Sequence, residues 1–277
     1  MSTTEVLNAA ANPALANKIV NEALTVVPQE AEGQPTTIVI PSLPETTITL
    51  PAGLYDSFEG TLVTTAEVRE LNGADEEAIV KINEPGKALF AILERATVSI
   101  GDKPATKDVL NSLLAGDREA LLLAIRIATF GPEIEVESVC SRCPELQTFT
   151  VDLTKDVEMK ELKDKISDRY FALNLKAGEV LVQLPTGETQ NKLINSPNKN
   201  SAELDTILLA NCVSDIGGQP VLSEASVRKL GIKDRREILE EIAKRNPGPQ
   251  LSEIKKACGT CGQEVQLPLT LAELFQS

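Results

Sequence analysis

Four of the five cysteines form two Cys-x-x-Cys pairs, Cys140/Cys143 and Cys258/Cys261. A tight turn with this spacing directs both sulfurs at one ion, and two such turns complete a tetrahedral thiolate site for zinc. Strand-like residues flank each pair, which predicts a zinc-ribbon-like β-hairpin at both places. Four thiolates without histidine form a closed site that stabilises a fold and catalyses nothing. The prediction is one structural zinc per chain, held by all four cysteines.

Other uses of these cysteines remain open at this point. Cys-x-x-Cys pairs also act as redox centres, although thioredoxin-type pairs lie at a helix N-terminus after a strand and not inside a hairpin. The two pairs could also hold metals separately or hold none. The fifth cysteine, Cys212, falls on an apolar helical face and is predicted to be a small buried hydrophobic residue.

The two pairs are far apart in the chain, but each follows the same series of residues. The stretch 113–153, LLAGDREALLLAIRIATFGPEIEVESVCSRCPELQTFTVDL, is matched by 230–271, LGIKDRREILEEIAKRNPGPQLSEIKKACGTCGQEVQLPLTL. The matched positions include Asp117-Arg118 with Asp234-Arg235, Gly131-Pro132 with Gly248-Pro249 and, upstream at an offset of 116, Leu93 with Leu209 and Ile100-Gly101 with Ile216-Gly217. This indicates a diverged tandem duplication, with copies over about residues 62–155 and 172–277. Two such copies about a pseudo-twofold axis would bring the Cys-x-x-Cys turns face to face.

Composition excludes several function classes. The chain has 277 residues, a net charge of −14, no histidine and no tryptophan. A negative chain repels phosphate backbones, so nucleic acid is not an expected partner. The absence of histidine removes the commonest general acid and base, so an enzyme is not expected. We find no apolar run of membrane-spanning length and no secretory leader, and the expectation is a cytoplasmic protein without a membrane span.

The first 52 residues are predicted to form an N-terminal arm. Residues 1–26 have helical spacing, and residues 27–52 contain five prolines, which favours edge strands or an extended strap. Such an arm can pack on a neighbouring subunit, but it can equally pack on the protein's own core or act as a flexible linker. The residues predicted to contact a partner here are Ile19, Leu24, Ile38 and Ile40.

A long helix containing the sequence Gly-Asp-Arg is the predicted centre of the first copy. Asp117 is the expected N-cap, and Gly131-Pro132 the expected stop. Its residues are apolar on every side, whereas the matching helix of the second copy has a single apolar stripe, so the first must be buried on a second side by the other copy or by another chain. The residues predicted here to contact a partner are Leu121, Leu123, Ile127 and Phe130. Arg118 and Arg235 are expected to form structural ion pairs or to be solvated.

These elements predict an α+β fold, a tandem pseudo-repeat of helices plus zinc-ribbon-like hairpins with an extended N-terminal arm. The predicted segments are 1–52, the helix and Pro-rich strap; 53–155, the first repeat with its knuckle; and 156–277, a charged linker helix over about 155–172 followed by the second repeat.

The string LLAGDREALLLAIRIATFGPEIEVESVCSRC resembles the baseplate hub proteins of contractile-tailed (T-even-like) bacteriophages, in which a helix of this type precedes a Cys-x-x-Cys turn and a strand. The segment LPAGLYDSFEGTLVTTAEVRELNGADEEAI is similar to the entry segment of that family. The resemblance covers residues 48–153 and, through the second knuckle, 172–277. It departs at Cys143-Pro144-Glu145, where a glycine is expected after the second cysteine, as in Cys261-Gly262.

The resemblance implies a non-enzymatic structural or assembly component of the tail baseplate hub, in contact with other phage tail proteins, assembled in the host cytoplasm and located in the virion. Two other classes remain. A zinc-ribbon regulator or adaptor that binds a protein or a nucleic acid has Arg142, Lys255 and Lys256 beside the knuckles as its support. A Cys-x-x-Cys thiol oxidoreductase is the other alternative.

Overall fold

The computed structural model of the protein describes residues 45–144 and 146–275. The predicted helix over residues 1–26, most of the Pro-rich strap and the contact residues Ile19, Leu24, Ile38 and Ile40 lie outside the described residues.

The described chain opens with an antiparallel four-stranded sheet. Its strands, in spatial order, are β1 (Glu45–Asp56), β2 (Thr61–Arg69), β3 (Thr97–Ile100) and β4 (Lys103–Pro104). The pairing register of β1 with β2 shifts between Thr49 and Leu54, around Pro51. Proline has no N–H for the ladder and is therefore confined to edge strands and bulges, as it is here. Of the two readings of the Pro-rich segment, edge strands or an extended strap, the end of the segment from Glu45 onward lies in the edge strand β1.

Four helices accompany this sheet: α1 (Gly73–Ile79), α2 (Pro85–Ala96), α3 (Lys107–Ser112) and α4 (Ala115–Phe130). Asn72 caps α1 by accepting the N–H groups of Ala74 and Asp75. The helix α4 ends at Gly131, whose φ of 84° is favourable for glycine, as predicted. It begins earlier than predicted, with Leu114 at the N-cap position, so the prediction that Asp117 is the N-cap is wrong.

The second half of the chain repeats this order of elements. Its sheet contains β8 (Tyr170–Leu175), β9 (Gly178–Gln183), β10 (Val213–Ile216) and β11 (Gln219–Pro220), and its helices are α5 (Gly187–Ile194), α6 (Ser201–Cys212), α7 (Glu224–Arg228) and α8 (Ile232–Arg245). In both halves two helices separate the second and third strands and two follow the fourth. The fold is therefore mixed α+β, as predicted.

Three small two-stranded sheets complete the fold. They pair β5 (Glu133–Val139) with β6 (Leu146–Asp152), β7 (Met159–Lys160) with β12 (Gly248–Pro249), and β13 (Lys255–Ala257) with β14 (Glu264–Gln266). Single turns of 3₁₀ helix lie at Ser167–Arg169, Leu251–Glu253 and Glu273–Phe275. The described residues belong to one compact unit, and the predicted boundaries near 155 stay a prediction.

Apolar side chains collect in three main clusters. One lies under the first sheet and includes Leu50, Ile100 and Leu121, and another lies under the second sheet and includes Val180 and Ile238. The third lies between the hairpins β5–β6 and β13–β14 and includes Phe149 and Val265. The helix α4 contributes to the first cluster through Leu121, Leu122 and Ile125 and to the third through Leu123. Its second apolar side is thus buried within this chain.

The charged segment 155–172 is not the predicted linker helix. It contains β7 and the 3₁₀ turn Ser167–Arg169 before β8 begins at Tyr170. The side chain of Asp164 accepts the N–H groups of Ile166 and Ser167, a local turn that competes with helix formation. Arg169 is buried and donates to the carbonyls of Lys165, Ala52 and Gly53. These tertiary contacts outweigh a helical pattern that has only a weak apolar stripe.

Candidate metal centre

Two hairpins hold the four paired cysteines in equivalent places. Cys140 directly follows β5, and Cys258 directly follows β13. Six residues separate the two strands of each hairpin. The last ladder pair before the turn is Val139 with Leu146 in one and Ala257 with Glu264 in the other. The predicted strand–knuckle–strand arrangement is therefore present at both Cys-x-x-Cys pairs.

The fold brings all four sulfurs together. The Sγ atoms of Cys140, Cys143, Cys258 and Cys261 lie within 4.8 Å of one another, and those of Cys140 and Cys261 are 3.8 Å apart. A tetrahedral zinc with Zn–S bonds of about 2.3 Å sets its sulfurs roughly 3.8 Å apart. All four cysteines are free thiols. The donor set and its spacing fit a metal ion bound by four thiolates in tetrahedral geometry.

The two cysteines of each Cys-x-x-Cys pair differ in burial. The first cysteine, Cys140 or Cys258, is buried, and the second, Cys143 or Cys261, is partly exposed. Cys140 and Cys258 belong to the apolar cluster between the hairpins, while Cys143 and Cys261 pack at its edge. An ion at this centre would be enclosed by apolar side chains on one side and reach the protein surface on the other.

The second knuckle has the backbone of a tight thiolate turn. The N–H of Gly262 donates to the carbonyl of Cys258 at 2.8 Å, and the N–H of Cys258 donates to the carbonyl of Gln263 at 2.8 Å. Gly262 adopts a φ of 71°, a left-handed conformation that suits glycine. Pro144 occupies the equivalent position of the first knuckle, and its ring restricts φ to negative values. The first knuckle therefore cannot have the same turn, although it delivers its sulfurs to the same point.

Gln147 connects the two hairpins beside the sulfurs, a role that the spacing of the cysteines did not indicate. Its amide nitrogen lies 3.2 Å from Sγ of Cys258 and 3.3 Å from Oγ1 of Thr260. The N–H of Arg142 donates to Sγ of Cys140 at 3.4 Å. Donors of this kind orient metal ligands and favour the thiolate form. The only signal for Gln147 in the sequence is a polar residue near the start of a strand that follows a knuckle.

The thiols have pKa values shifted in opposite directions. The N–H groups of Cys261 and Thr260, with the amide of Gln147, lower the pKa of Cys258 to about 6. The hydrogen bond to Cys261 and the proximity of the other sulfurs raise the pKa of Cys143 to about 12. Four negative charges this close repel one another, so only a cation among them favours ionisation of all four.

The predicted partner-contact residues on α4 have different environments. Leu121 and Leu123 are 0% and 4% exposed and pack in this chain's own clusters, so their burial does not fit the prediction that they contact another subunit. Ile127 is partly buried against the cluster between the hairpins. Phe130 is 51% exposed at the end of α4 and is the best placed of the four for a contact with another chain.

The basic residues beside the knuckles are largely engaged. Lys255 forms an ion pair with Glu264 at 3.0 Å, and Lys256 forms one with Asp156 at 2.6 Å. Neutralised lysines contribute little to phosphate binding, so the surface around the knuckles gives weak support for a nucleic-acid site. Within the described ranges, no helix is long and apolar enough to cross a membrane.

Comparison with known families identifies the fold's relatives. The model of the family described as T4 bacteriophage base plate protein matches residues 45–276. The chain belongs to this family. No curated protein and no solved structure gives a significant match. The match spans both four-stranded sheets and both cysteine hairpins. Membership in the base plate family indicates a structural component of the phage tail that associates with other phage proteins and has a non-enzymatic role.

Proposed function

We propose that this protein is a structural or assembly component of the hub of a contractile phage tail baseplate, and that one zinc ion bound by Cys140, Cys143, Cys258 and Cys261 holds its two halves together. The observation that carries the metal part is the meeting of four sulfurs within 4.8 Å from hairpins more than a hundred residues apart. The family match over residues 45–276 supports the baseplate part.

The zinc would connect two halves that are related by a tandem duplication. Each half contributes one four-stranded sheet, four helices and one cysteine hairpin in the same order. Each sheet packs over its own apolar cluster, whereas the hairpins share one. A structural thiolate site contributes on the order of 10 kcal/mol of binding free energy, which is comparable to the entire stability of a domain.

The metal proposal is tested by elemental analysis of the wild type and of Cys140→Ala and Cys258→Ala, each purified without chelator. One zinc per chain, lost in both variants together with thermal stability, is the expected result. Cys212→Ala is the matched control, because Cys212 is buried away from the four sulfurs in the cluster of the second sheet and should leave zinc content unchanged. No zinc in the wild type, or full zinc in one of the two variants, would overturn the shared site.

The hub proposal is tested by locating the protein in purified tails. Antibody labelling or quantitative mass spectrometry of intact tails and of tail-less heads should find it only in tails, at the central part of the baseplate. Presence at the baseplate periphery would contradict the hub position. Absence from finished tails, with incomplete baseplates in infections that lack the gene, would indicate an assembly role.

A thiol oxidoreductase is the second candidate, and the proximity of four free thiols, with Sγ of Cys140 and Sγ of Cys261 3.8 Å apart, is the observation that favours it. A redox centre predicts zinc-free protein that forms a disulfide reversibly and reacts rapidly with an alkylating probe. Stoichiometric zinc that protects all four thiols from the probe would exclude this function.

A further inference from the structure

The outer edge of the strand β5 lies open beside a groove. Within the described residues β5 pairs only with β6, so its other edge has no neighbouring strand. A groove of about 520 Å³ lies between this edge and the segment 268–274. Every residue of β5 from Glu133 to Glu137 lines it, as expected at a strand edge, because the side chains of a single face recur only at every second position. We call this feature the β5 groove.

The hydrogen bonds of the hairpin show which backbone groups face the groove. The N–H of Leu153 donates to the carbonyl of Pro132 at 2.8 Å, so this pair, one step before Glu133 in the ladder, is hydrogen-bonded. Hydrogen-bonded and non-hydrogen-bonded pairs alternate along an antiparallel ladder. The N–H and C=O groups of Glu133, Glu135 and Glu137 therefore point away from β6 and towards the β5 groove. None of them has a backbone partner among the described residues.

The two faces of β5 differ in chemistry. Glu133, Glu135 and Glu137 are exposed, whereas Ile134 and Val136 are partly buried against the apolar cluster between the hairpins. None of the three glutamates forms an ion pair within the described part of the chain. A strand added at this edge would continue both faces, with one row of its side chains opposite the glutamates and the other row beside the apolar residues.

We propose that the β5 groove binds an extended segment of a partner protein as an added strand, in which basic residues alternate with apolar ones. The basic side chains would lie opposite Glu133, Glu135 and Glu137. The apolar ones would lie beside Leu269 and Leu274, which line the groove and belong to the cluster between the hairpins. Main-chain hydrogen bonds give such a complex its affinity, and the alternating side chains give it specificity. Opposite charges across a strand pair stabilise the pairing.

The charges beside the groove disfavour the two occupants that this chain itself could supply. A second copy of β5 would place glutamate opposite glutamate, and like charges directly opposite each other are destabilising. Residues 1–44 contain a single basic residue, Lys18, and so lack the alternating basic pattern. The net charge of −14 also favours association with a basic partner. A basic segment of another protein is therefore the occupant that the groove fits.

The test titrates three acetylated and amidated peptides into the full-length protein and follows the amides of β5 by NMR. The probe is Thr-Lys-Val-Lys-Val-Lys-Thr. Its controls are Thr-Glu-Val-Glu-Val-Glu-Thr and the non-alternating peptide Thr-Lys-Lys-Val-Val-Lys-Thr. The probe should bind at least tenfold more tightly than either control and should protect the amides of Glu133, Glu135 and Glu137 from exchange. Equal binding of the probe and the non-alternating peptide, or no binding of the probe, would overturn the proposal.

Two N-methylated forms of the probe test whether a strand forms. One is methylated at the three lysine nitrogens and the other at the two valine nitrogens. Alternate N–H groups of a strand point to opposite edges, so only one form should lose binding. This should be the lysine-methylated form if the peptide runs antiparallel to β5, and the valine-methylated form if it runs parallel. Retained binding of both forms would show that no strand is added and would contradict the proposal.

The variant Glu135→Lys connects the binding to β5. Glu135 is exposed, so its replacement should leave the fold intact. It should weaken binding of the probe by about fivefold and strengthen binding of the Glu peptide, because it reverses one cross-strand charge pair. Glu59→Lys makes the same charge change at an exposed glutamate between β1 and β2 and should leave both affinities unchanged. Identical affinities in Glu135→Lys and the wild type would place the probe elsewhere. Protection of the three amides in the free protein would show that this chain or a second copy already covers the edge, and would also contradict the proposal.

Discussion

At the residue scale, the aspartate of the Gly-Asp-Arg sequence, Asp117, binds the hairpin β1–β2 and does not cap α4. Oδ1 of Asp117 accepts the N–H groups of Ala52 and Gly53 at 2.8 and 3.0 Å, at the irregular part of β1. In the second repeat Asp234 accepts the N–H of Ala177 in the turn between β8 and β9. The aspartate of each Asp-Arg pair thus joins its long helix to the hairpin β1–β2 in the first half and β8–β9 in the second.

Asp117 should give the protein a distinctive pH dependence. Burial raises its pKa from 3.8 to about 6, although the two N–H groups and Arg169 oppose the shift. At Asp117 the folded state therefore binds a proton more tightly than the unfolded state, so the contribution of Asp117 to stability is largest below pH 4 and falls as the pH rises to about 6. The expected loss is about 3 kcal/mol, since one pKa unit corresponds to about 1.36 kcal/mol.

The comparison of wild type with Asp117→Asn isolates this effect. Urea unfolding from pH 4 to pH 7 should show the wild type losing about 3 kcal/mol relative to Asp117→Asn, whose side chain does not titrate. Asp117→Ala should be less stable at every pH, because it leaves two buried N–H groups without an acceptor. Parallel pH curves for the wild type and Asp117→Asn would show that Asp117 titrates normally in the folded protein.

At the element scale, the start of α4 packs directly on the backbone of the second repeat. A Cβ added at Gly116 would lie 1.8 Å from the carbonyl oxygen of Pro247, and one at Gly248 would lie 2.8 Å from the Cα of Gly116. The glycine that matches Gly248 in the first repeat is Gly131, where an added Cβ would meet nothing within 4 Å. The close approach of α4 to β12 is therefore specific to one repeat, and it joins the two halves independently of any metal.

Gly116→Ala should destabilise the protein by about 3 kcal/mol or more, because the clash is with backbone and not with a side chain that can rotate. Gly73→Ala is the matched control, since Gly73 is also in the first turn of a helix and an added Cβ there has open space. This control should be neutral or stabilising by up to about 1 kcal/mol, because alanine favours helix. Denaturant unfolding measures both, and equal midpoints for the two variants would show that α4 does not rest on β12.

The elements that the sequence predicted correctly are those with a local signal. Gly131-Pro132 ends α4, as predicted, and the Cys-x-x-Cys pairs with their strand-like flanks predicted two hairpin turns. Other features depend on contacts between distant residues. Asp117 lies 65 residues from Ala52, and Arg169 lies 116 residues from Gly53. No periodicity of a single segment reports such pairs, which is why the helix start and the segment 155–172 were predicted incorrectly.

The candidate metal centre was also predicted only in part, because some of its contacts join residues that are distant in the chain. The duplication inferred from the sequence predicted that the two Cys-x-x-Cys turns meet, because equivalent turns of two related halves can face each other across an axis. It did not indicate Gln147, which has no counterpart among the motif positions. Gln147 contacts Cys258 and Thr260, which lie 111 and 113 residues further along the chain, and only the three-dimensional structure brings such residues together.

At the scale of the whole molecule, three main apolar clusters and one candidate metal centre imply that stability is not uniform. The clusters under the two sheets contain no residue of either cysteine pair, whereas the cluster between the hairpins includes Cys140 and Cys258. The hairpin β13–β14 has only three ladder pairs, and an isolated hairpin of this size is marginally stable in water. Removal of the metal should therefore act first on the shared cluster and only later on the two sheets.

Hydrogen exchange before and after chelation measures this order. We expect amides of β6, β13 and β14 to lose protection when the metal is removed, because opening of a local unit exposes its hydrogen bonds. Amides of β2 and β9 should stay protected, since Gly116 and Gly248 and the apolar cluster of each sheet remain in place. Cys140→Ala should reproduce the chelated pattern without chelator. Uniform loss of protection in all strands would mean that the metal is required for the entire fold. It would contradict the proposal that the metal joins two halves that are each stable without it.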